Sequence, residues 1–306
     1  MAGTGVPFFE LGKKGASQLW VFVAGLALLL LAYWVAPEIW FRLKSVFVRI
    51  FINSDTGSNF LSFLTSSQVG VFLDILVTYC LGPVFVLVAL RAVQNHVRKR
   101  PMQDLMSTAP KFRWHLAIKA AMIYMFVTSL VWFVKSFFAD WGGVTWIFEP
   151  KNLVLWPALV LGVALFIFAE EAVFRGFICQ GLSVQIKSPL LVMVLSSLLY
   201  VAWSSAGYYM AFGWQSYLLV MFIVGMAACL LVVMTGGLEA TIAIGTTSAL
   251  IGTLLVSDQT LGLPQYSLYS AGETFYTAVS VFETAATYAI TLILCAYILP
   301  QKKETK

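Results

Sequence analysis

Charged side chains are scarce in this sequence: only 11% of its 306 residues are Asp, Glu, Lys or Arg. A soluble globular domain carries about 25% charged residues, so this scarcity excludes an ordinary soluble enzyme. Hydrophobic residues make up 60% of the chain, and the mean hydropathy is +0.87. The composition predicts an all-α polytopic membrane protein, because a helix satisfies its own backbone hydrogen bonds inside a bilayer.

Histidine and cysteine are also rare, which limits the metal chemistry available to the chain. The two histidines, His96 and His115, lie in or beside a basic segment, where a solvated side chain is the expectation. No two cysteines have metal-ligand spacing, and all four are expected to be small buried hydrophobic residues. They are Cys80, Cys179, Cys229 and Cys295. The sequence therefore predicts neither a metal site nor a cofactor.

Apolar runs divide the chain into about eight predicted transmembrane helices, on the measure that a bilayer core requires about 20 apolar residues. The predicted spans are 18–37, 69–93, 115–137, 153–180, 189–206, 215–235, 238–256 and 277–299. The first is too long for the apolar region of a signal peptide and is expected to be retained. One transmembrane domain over 18–299 then lies between a cytoplasmic segment, 1–17, and a basic cytoplasmic tail, 300–306.

Lysine and arginine predict the orientation, because they favour the cytoplasmic side of a membrane. With both termini inside, thirteen of the 19 basic residues fall on or near that side and five fall outside. The basic segment 94–114 is expected to fix this topology and to touch anionic lipid. Membrane lipids are thus expected partners and nucleic acid is not. The lack of a transit peptide favours a bacterial inner membrane.

Residues 39–52, directly after the first predicted span, leave two interpretations open. The segment mixes aromatic residues with Arg42, Lys44 and Arg49. It is either an amphipathic helix lying at the outer interface or a loop whose cations reach toward the headgroups.

A cluster of charges at the end of an apolar stretch is the main candidate site. Glu170, Glu171 and Arg175 follow residues 153–169, which contain no charged residue. In a helix, Glu171 and Arg175 share a face, whereas Glu170 is turned by about 100°. Arginine can therefore neutralise Glu171 while Glu170 faces a cavity, where a carboxylate can act as a general base for water. The alternative is a structural salt bridge at the helix end.

The segment Glu170–Phe177 resembles the EExxxR-G-[FY] signature of the CPBP family, which includes CAAX prenyl endopeptidases and bacteriocin-processing proteins. Residues 196–200 resemble the start of the family's second motif, and residues 236–238 resemble the approach to its third. The resemblance covers about 153–256. It implies a helical bundle with a cytoplasmic cavity, Glu170 as the base that activates water, and Glu171 with Arg175 as the supporting pair.

The sequence departs from the family pattern at the positions that complete this chemistry. Ser204 stands where the second motif has its histidine, Gly245 stands at the third motif's histidine, and Ala249 stands at its Asn or Asp partner. Serine is no base near neutral pH, and glycine offers no side-chain donor. The favoured hypothesis is therefore a catalytically impaired relative that binds a membrane peptide, a lipid or a protein partner. An active glutamate endopeptidase is the alternative.

Three further acidic residues lie in or at the start of apolar spans. Asp74 and Glu283 are single acids in the outer part of the membrane, and could belong to a proton path. A proton-coupled transporter is thus the second alternative, although the chain lacks the internal repeats that many transporters show. Glu239 opens the seventh span and suits the positive end of a helix. That span contains Gly245, Ala249 and Gly252, which predicts tight packing against the Glu170 helix.

Overall fold

The protein is a bundle of α-helices in a computed structural model that describes residues 7–15, 18–51, 68–137, 145–204, 214–257, 267–270 and 278–299. Within these ranges the first helices are α1 (Pro7–Glu10), α2 (Leu19–Phe51), α3 (Gln68–Ala92), α4 (Gln103–Met106), α5 (Trp114–Ser136) and α6 (Trp156–Glu171). The remaining ones are α7 (Cys179–Gln185), α8 (Pro189–Ser204), α9 (Trp214–Thr235), α10 (Glu239–Leu250) and α11 (Ala278–Ile298).

Eight helical segments correspond to the eight predicted spans. Five are long and apolar enough to cross a membrane: Ile75–Val97, Trp114–Ser136, Pro150–Gln185, Trp214–Thr235 and Val279–Ile298. Three apolar helices are shorter: Leu19–Ala32, Pro189–Ser204 and Glu239–Leu255. The predicted all-α, multi-pass membrane bundle is confirmed, and the helix bounds mostly agree with the hydropathy pattern within one or two residues.

Departures from α geometry mark several helix ends. Turns of 3₁₀ helix cover Leu11–Lys13 and Pro150–Leu155, and π-helical turns cover Val93–Val97, Ala172–Ile178 and Ile251–Leu255. The predicted span 153–180 is thus a composite of 3₁₀, α and π geometry. A π turn inserts one extra residue per turn and often occurs at a functional site.

Residues 39–51 are helical, so the loop interpretation was wrong. The position of this helical segment at the outer interface stays a prediction. Residues 39–51 continue α2, which runs without a break from Leu19 to Phe51. The stretch 38–51 contains no glycine and no proline, so nothing in its sequence ends the helix. Residue 52 lies outside the described residues.

The core positions α6 at the centre of the bundle. It packs against α3 on one side and α10 on another, while α2 packs on α3 and α8 packs on α9. Leu90, Ala172 and Phe177 belong to one buried cluster, which joins α3 to the π turn after α6. A second buried cluster joins α5, α9, α10 and α11, and includes Tyr124 and Ile244.

Residues 7–15 are packed onto the bundle beside α7. Phe8 and Phe9 are fully buried, and the Ser183 hydroxyl donates to the Phe9 carbonyl at 2.9 Å. A Cβ on Gly12 would collide with the Gln180 carbonyl, so glycine permits the close approach. The prediction that 1–17 is cytoplasmic stays a prediction, but its described part is integrated into the fold.

The basic segment 94–114 is more ordered than a solvated topogenic loop. It contains α4, and two of its cations, Arg98 and Arg100, are buried. They hydrogen-bond to backbone oxygens of residues 11 and 12. Counting charged residues cannot predict this contact, because the partners are uncharged carbonyl groups almost 90 residues away in sequence.

A small three-stranded ribbon joins two of the connections, which the sequence did not predict. β1 (Thr145–Trp146) pairs antiparallel with β3 (Tyr269–Ser270), and β2 (Val256–Ser257) pairs parallel with β3. Trp146 packs edge-on against Tyr269, with ring centroids 4.9 Å apart. Each strand has only two residues, which is too short for a period-two pattern to be recognisable.

Candidate functional site

The acidic pair lies where the apolar helix α6 passes into a π turn. Leu159, Val163 and Ala169 of α6 are buried in the bundle, and the helix ends at Glu170 and Glu171. Arg175 follows inside the π turn Ala172–Ile178. The chain therefore brings two carboxylates and one guanidinium into the bundle interior, where an unpaired charge is costly.

Arg175 pairs with Glu171, as the helical spacing predicted. Its Nη1 lies 3.3 Å from Glu171 Oε1, and both residues are buried. The guanidinium also lies over the ring of Tyr200, 4.4 Å from its centroid, which adds a cation–π contact. Phe174 packs edge-on against the same ring at 5.3 Å. The sequence placed Tyr200 within the second motif-like segment, 196–200. Its contact with Arg175, 25 residues away, was not predicted, because the two residues lie on different helices.

The Glu171–Arg175 pair is incompletely hydrogen-bonded. Glu171 Oε2 and Arg175 Nη2 are buried and have no hydrogen-bond partner within the described part of the chain. Such groups are uncommon in folded proteins and call for an explanation in function, strain or an unseen water. The pair thus neutralises charge without satisfying all of its polar atoms.

Glu170 faces a cavity of about 290 Å³ on the other side of the helix. The described residues that line it come from α2, α3, α6, the following π turn and α8: Leu26, Leu29, Leu30, Pro83, Val86, Phe166, Ala169, Glu170, Val173, Phe174, Ile178, Leu199, Ala202 and Trp203. Glu170 is the charged member of this set. The expectation that the two acids point in different directions is confirmed.

The cavity opens at the surface of the bundle. Leu30 and Leu199 line it and are also 40% and 42% exposed. The opening thus lies between α2 and α8. Neither histidine is among the described residues of the lining, and the side chains of His96 and His115 are exposed, as expected.

Ser204 is engaged elsewhere. It is the last residue of α8, and its hydroxyl donates to the Val201 carbonyl at 3.2 Å. Its own carbonyl accepts a hydrogen bond from the Tyr217 hydroxyl at 3.1 Å. Its hydroxyl group thus supports the end of α8.

Gly245 is where α10 approaches α6 closely, which confirms the predicted packing against the Glu170 helix. A Cβ at this position would lie 2.8 Å from Ile167 Cγ2, so the imidazole of a histidine has no room here. The close approach does not extend to Gly252, where an added Cβ would meet nothing within 4 Å. Ala249 is half-buried and offers no polar group.

Glu239 belongs to an ion pair that the sequence did not reveal. Arg113 donates from Nε to Glu239 Oε1 at 3.0 Å and from Nη2 to Oε2 at 2.8 Å. Glu239 is only 1% exposed and is the first residue of α10. Its predicted place at the start of the helix is confirmed, and its carboxylate is bound by Arg113. Gly237 packs directly against both partners, and a Cβ there would lie 2.6 Å from Arg113 Nη2.

The other predicted intramembrane acids do not meet the Glu170 site among the described contacts. Glu283 Oε1 lies 2.8 Å from Lys135 Nζ, and both side chains are partly exposed. Asp74 lies in α3, and its side chain is outside the described part of the structure. A proton path that uses these acids therefore has no described connection.

Three of the four cysteines are buried, as predicted, whereas Cys80 is half-buried. Cys179 and Cys229 lie with their Sγ atoms 3.8 Å apart, a contact that a separation of 50 residues conceals. In the described ranges, no three His, Cys, Asp or Glu side chains are grouped so that they could hold a metal ion. The expectation that the protein uses no metal stays a prediction.

Comparison with known proteins supports the resemblance found in the sequence. Residues 151–250 match the family model described as type II CAAX prenyl endopeptidase Rce1-like. The match spans the α6 helix with Glu170 and Glu171, the π turn with Arg175, and the helices through α10. Searches of curated proteins and of solved structures returned no match.

Proposed function

We propose that this CAAX-protease-like membrane protein binds the apolar chain of a membrane peptide or lipid beside Glu170, and that it hydrolyses peptides poorly. The observation that supports binding is the cavity itself, which is apolar in its described lining except for one carboxyl group and opens between α2 and α8. Pockets of this kind combine an apolar wall with a few polar groups that set orientation.

The carboxyl group, rather than the apolar wall, gives the cavity its selectivity. Lipid tails are as apolar as the side chains that line the site, so transfer from the bilayer supplies little hydrophobic driving force. A ligand with a hydrogen-bond donor beside its apolar chain gains a contact to Glu170 that bulk lipid does not offer. The expected ligand is therefore an apolar chain with an amide or hydroxyl group near it.

Impaired catalysis follows from what stands at the family's histidine positions. Ser204 uses its hydroxyl within α8, and Gly245 lies against Ile167 with no side chain. Losing one oxyanion donor typically costs about 10²–10³ in rate, and losing positioned acid–base help costs about 10²–10⁴. The two losses need not add, but each is large enough to make hydrolysis slow.

A matched pair of leucine substitutions tests binding. Leu199 lines the cavity and is partly exposed, whereas Leu219 is exposed and is not among the lining residues. We expect Leu199→Trp to fill the mouth and reduce crosslinking of a photoreactive acyl-amide probe by about tenfold, and Leu219→Trp to leave it unchanged. Equal crosslinking in the two variants contradicts binding in this cavity.

The second candidate function, an active glutamate endopeptidase, is favoured by one observation. Arg175 contacts Glu171 and leaves Glu170 facing the cavity, the arrangement that a water-activating carboxylate needs. The test offers tagged membrane peptides to the purified protein and to Glu170→Gln, with Glu283→Gln as the control. We expect no cleavage above background in any of them. Cleavage by wild type and Glu283→Gln that is lost in Glu170→Gln establishes the protease.

The membrane and orientation are part of the same proposal. We place the protein in a bacterial inner membrane with both termini in the cytoplasm, on the distribution of its basic residues.

A further inference from the structure

Two arginines are buried without a carboxylate bound to either of them in the described structure. Arg98 is 1% exposed and Arg100 is 4% exposed, directly after the span that ends at Val97. Buried charges are normally paired, because taking a guanidinium out of water costs several kcal/mol. Their position is also notable, since residues just beyond a span lie at the level of the lipid headgroups.

The backbone is bent so that both arginines point inward. Lys99, between them, has φ of +53°, a left-handed conformation that is uncommon for a residue with a Cβ and often marks a functional site. The Arg98 amide donates to the Val93 carbonyl at 2.8 Å, and the Arg100 amide donates to the Gln94 carbonyl at 2.9 Å. Lys99 itself is exposed.

The hydrogen-bond partners of the two guanidinium groups are neutral oxygens, and the Arg98 guanidinium also lies over the Phe177 ring, 5.6 Å from its centroid. Arg98 Nη2 donates to the Gly12 carbonyl at 2.9 Å, and Arg100 Nη1 donates to the Leu11 carbonyl at 2.6 Å. Arg100 Nε donates to Gln94 Oε1 at 2.5 Å. These contacts use only part of the donor capacity of the two side chains.

Four nitrogens of this cluster are buried and have no hydrogen-bond partner among the residues that the structure describes. They are Arg98 Nε, Arg98 Nη1, Arg100 Nη2 and Gln94 Nε2. An unsatisfied buried donor costs about 1–3 kcal/mol, and more when it is charged. Several such donors on neighbouring residues therefore indicate a group that the protein alone does not supply.

An acidic side chain lies near the cluster, but it is paired with another cation. Asp104 is the carboxylate that acts on Arg100, and it is already paired with Lys14, whose Nζ lies 3.0 Å from Asp104 Oδ1. Burial lowers the pKa of Arg98 to about 10. Burial and then the charge of Arg98 lower the pKa of Arg100 to about 9, against the opposing effect of Asp104. Among the described residues, neither guanidinium group therefore has a carboxylate bound to it.

We propose that Arg98, Arg100 and Gln94 form a binding site for a phosphate group, either that of an anionic lipid headgroup or free phosphate. A planar guanidinium presents paired N–H groups that match two phosphate oxygens. Residues 7–15 cover these donors through the Leu11 and Gly12 carbonyls. Binding of the phosphate therefore requires this segment to shift. The phosphate oxygens then accept hydrogen bonds from guanidinium N–H groups that are bound to carbonyl oxygens or are unsatisfied in the described structure.

The proposal is tested by the thermal midpoint of the purified protein in an uncharged detergent. One arm adds phosphatidylglycerol against phosphatidylcholine, and the other adds inorganic phosphate against chloride at equal ionic strength. We expect phosphatidylglycerol or phosphate to raise the midpoint, whereas the matched control does not. A shift with the lipid only assigns the site to a headgroup, and a shift with phosphate assigns it to the free anion. No shift in either arm overturns the site.

Variants locate the effect. Arg98→Lys combined with Arg100→Lys keeps both charges but loses the paired N–H groups, so we expect apparent affinity to fall by about tenfold, which corresponds to about 1.4 kcal/mol. Lys111→Gln removes an exposed charge from the same segment and is expected to bind like wild type. A larger loss in Lys111→Gln than in the double variant contradicts the assignment. If the double variant is not recovered, the wild-type comparison of phosphate with chloride decides.

Discussion

Two buried glutamate–arginine pairs in this bundle are built in different ways. Arg113 and Glu239 share two directed hydrogen bonds at 3.0 and 2.8 Å, whereas Arg175 and Glu171 share one contact at 3.3 Å and keep unsatisfied buried atoms. The first pair joins two helices, α5 and α10. The second lies within one helix, beside the cavity. The pair that joins two helices has two well-directed hydrogen bonds. The pair at the candidate site has buried donor and acceptor atoms without a hydrogen bond in the described structure.

The largest expected effect comes from breaking the pair beside the cavity. Arg175→Ala leaves the buried Glu171 carboxylate without its cation and removes the guanidinium from the Tyr200 ring. Losing one partner of a buried pair costs about 3–5 kcal/mol, so we expect less folded protein and a lower thermal midpoint in detergent. Lys187→Ala, at an exposed cation, serves as the control. A variant that accumulates and melts like wild type contradicts the role assigned to this pair.

A smaller loss is expected from the interhelical pair. Arg113→Ala leaves Glu239 buried, but the arginine side chain is 22% exposed, so water can partly replace it. We expect a loss of about 2–3 kcal/mol, measured by denaturant or thermal unfolding.

Arg113→Lys sharpens the comparison between the two pairs. Lysine keeps the charge but cannot form both hydrogen bonds, so it should recover only part of the loss caused by alanine. Full recovery would mean that charge alone, and not the paired geometry, stabilises the contact between α5 and α10.

The smallest effect concerns the contact that connects the two pairs through α6 and α10. Gly245→Ala places a methyl group 2.8 Å from Ile167 Cγ2, and overpacking of this kind costs about 1–3 kcal/mol. Gly252→Ala is the matched control, because an added Cβ there meets nothing within 4 Å. We expect only Gly245→Ala to lower the thermal midpoint. Equal thermal midpoints in the two variants would show that α6 and α10 can move apart without a loss of stability.

Hydropathy predicted the helices well because each span is a long continuous signal. The bounds of α3, α5, α9 and α11 all lie within one or two residues of the predicted spans. The pairing of Arg175 with Glu171 was also predictable, since it depends on local spacing along one helix. The π turn that contains Arg175 was not, because one extra residue in a turn leaves no trace in an apolar run.

The missed side-chain contacts depend on residues in distant parts of the chain. Arg113 and Glu239 are 126 residues apart, and the partners of Arg98 and Arg100 are carbonyl groups, which every residue possesses. A count of basic residues assigned these arginines to topology only. Each charged residue at the end of a span has two possible positions, because a long side chain there can be buried in the bundle or exposed to solvent.

The seating of residues 7–15 has a consequence for synthesis. The Phe9 carbonyl receives its hydrogen bond from Ser183, 174 residues later, and ribosomes add about 5–20 residues per second. Roughly 10 to 35 s therefore pass before this partner has been translated. During that interval the segment with two phenylalanines that end up fully buried lacks its contact with Ser183, so it cannot complete its native contacts until α7 has been made.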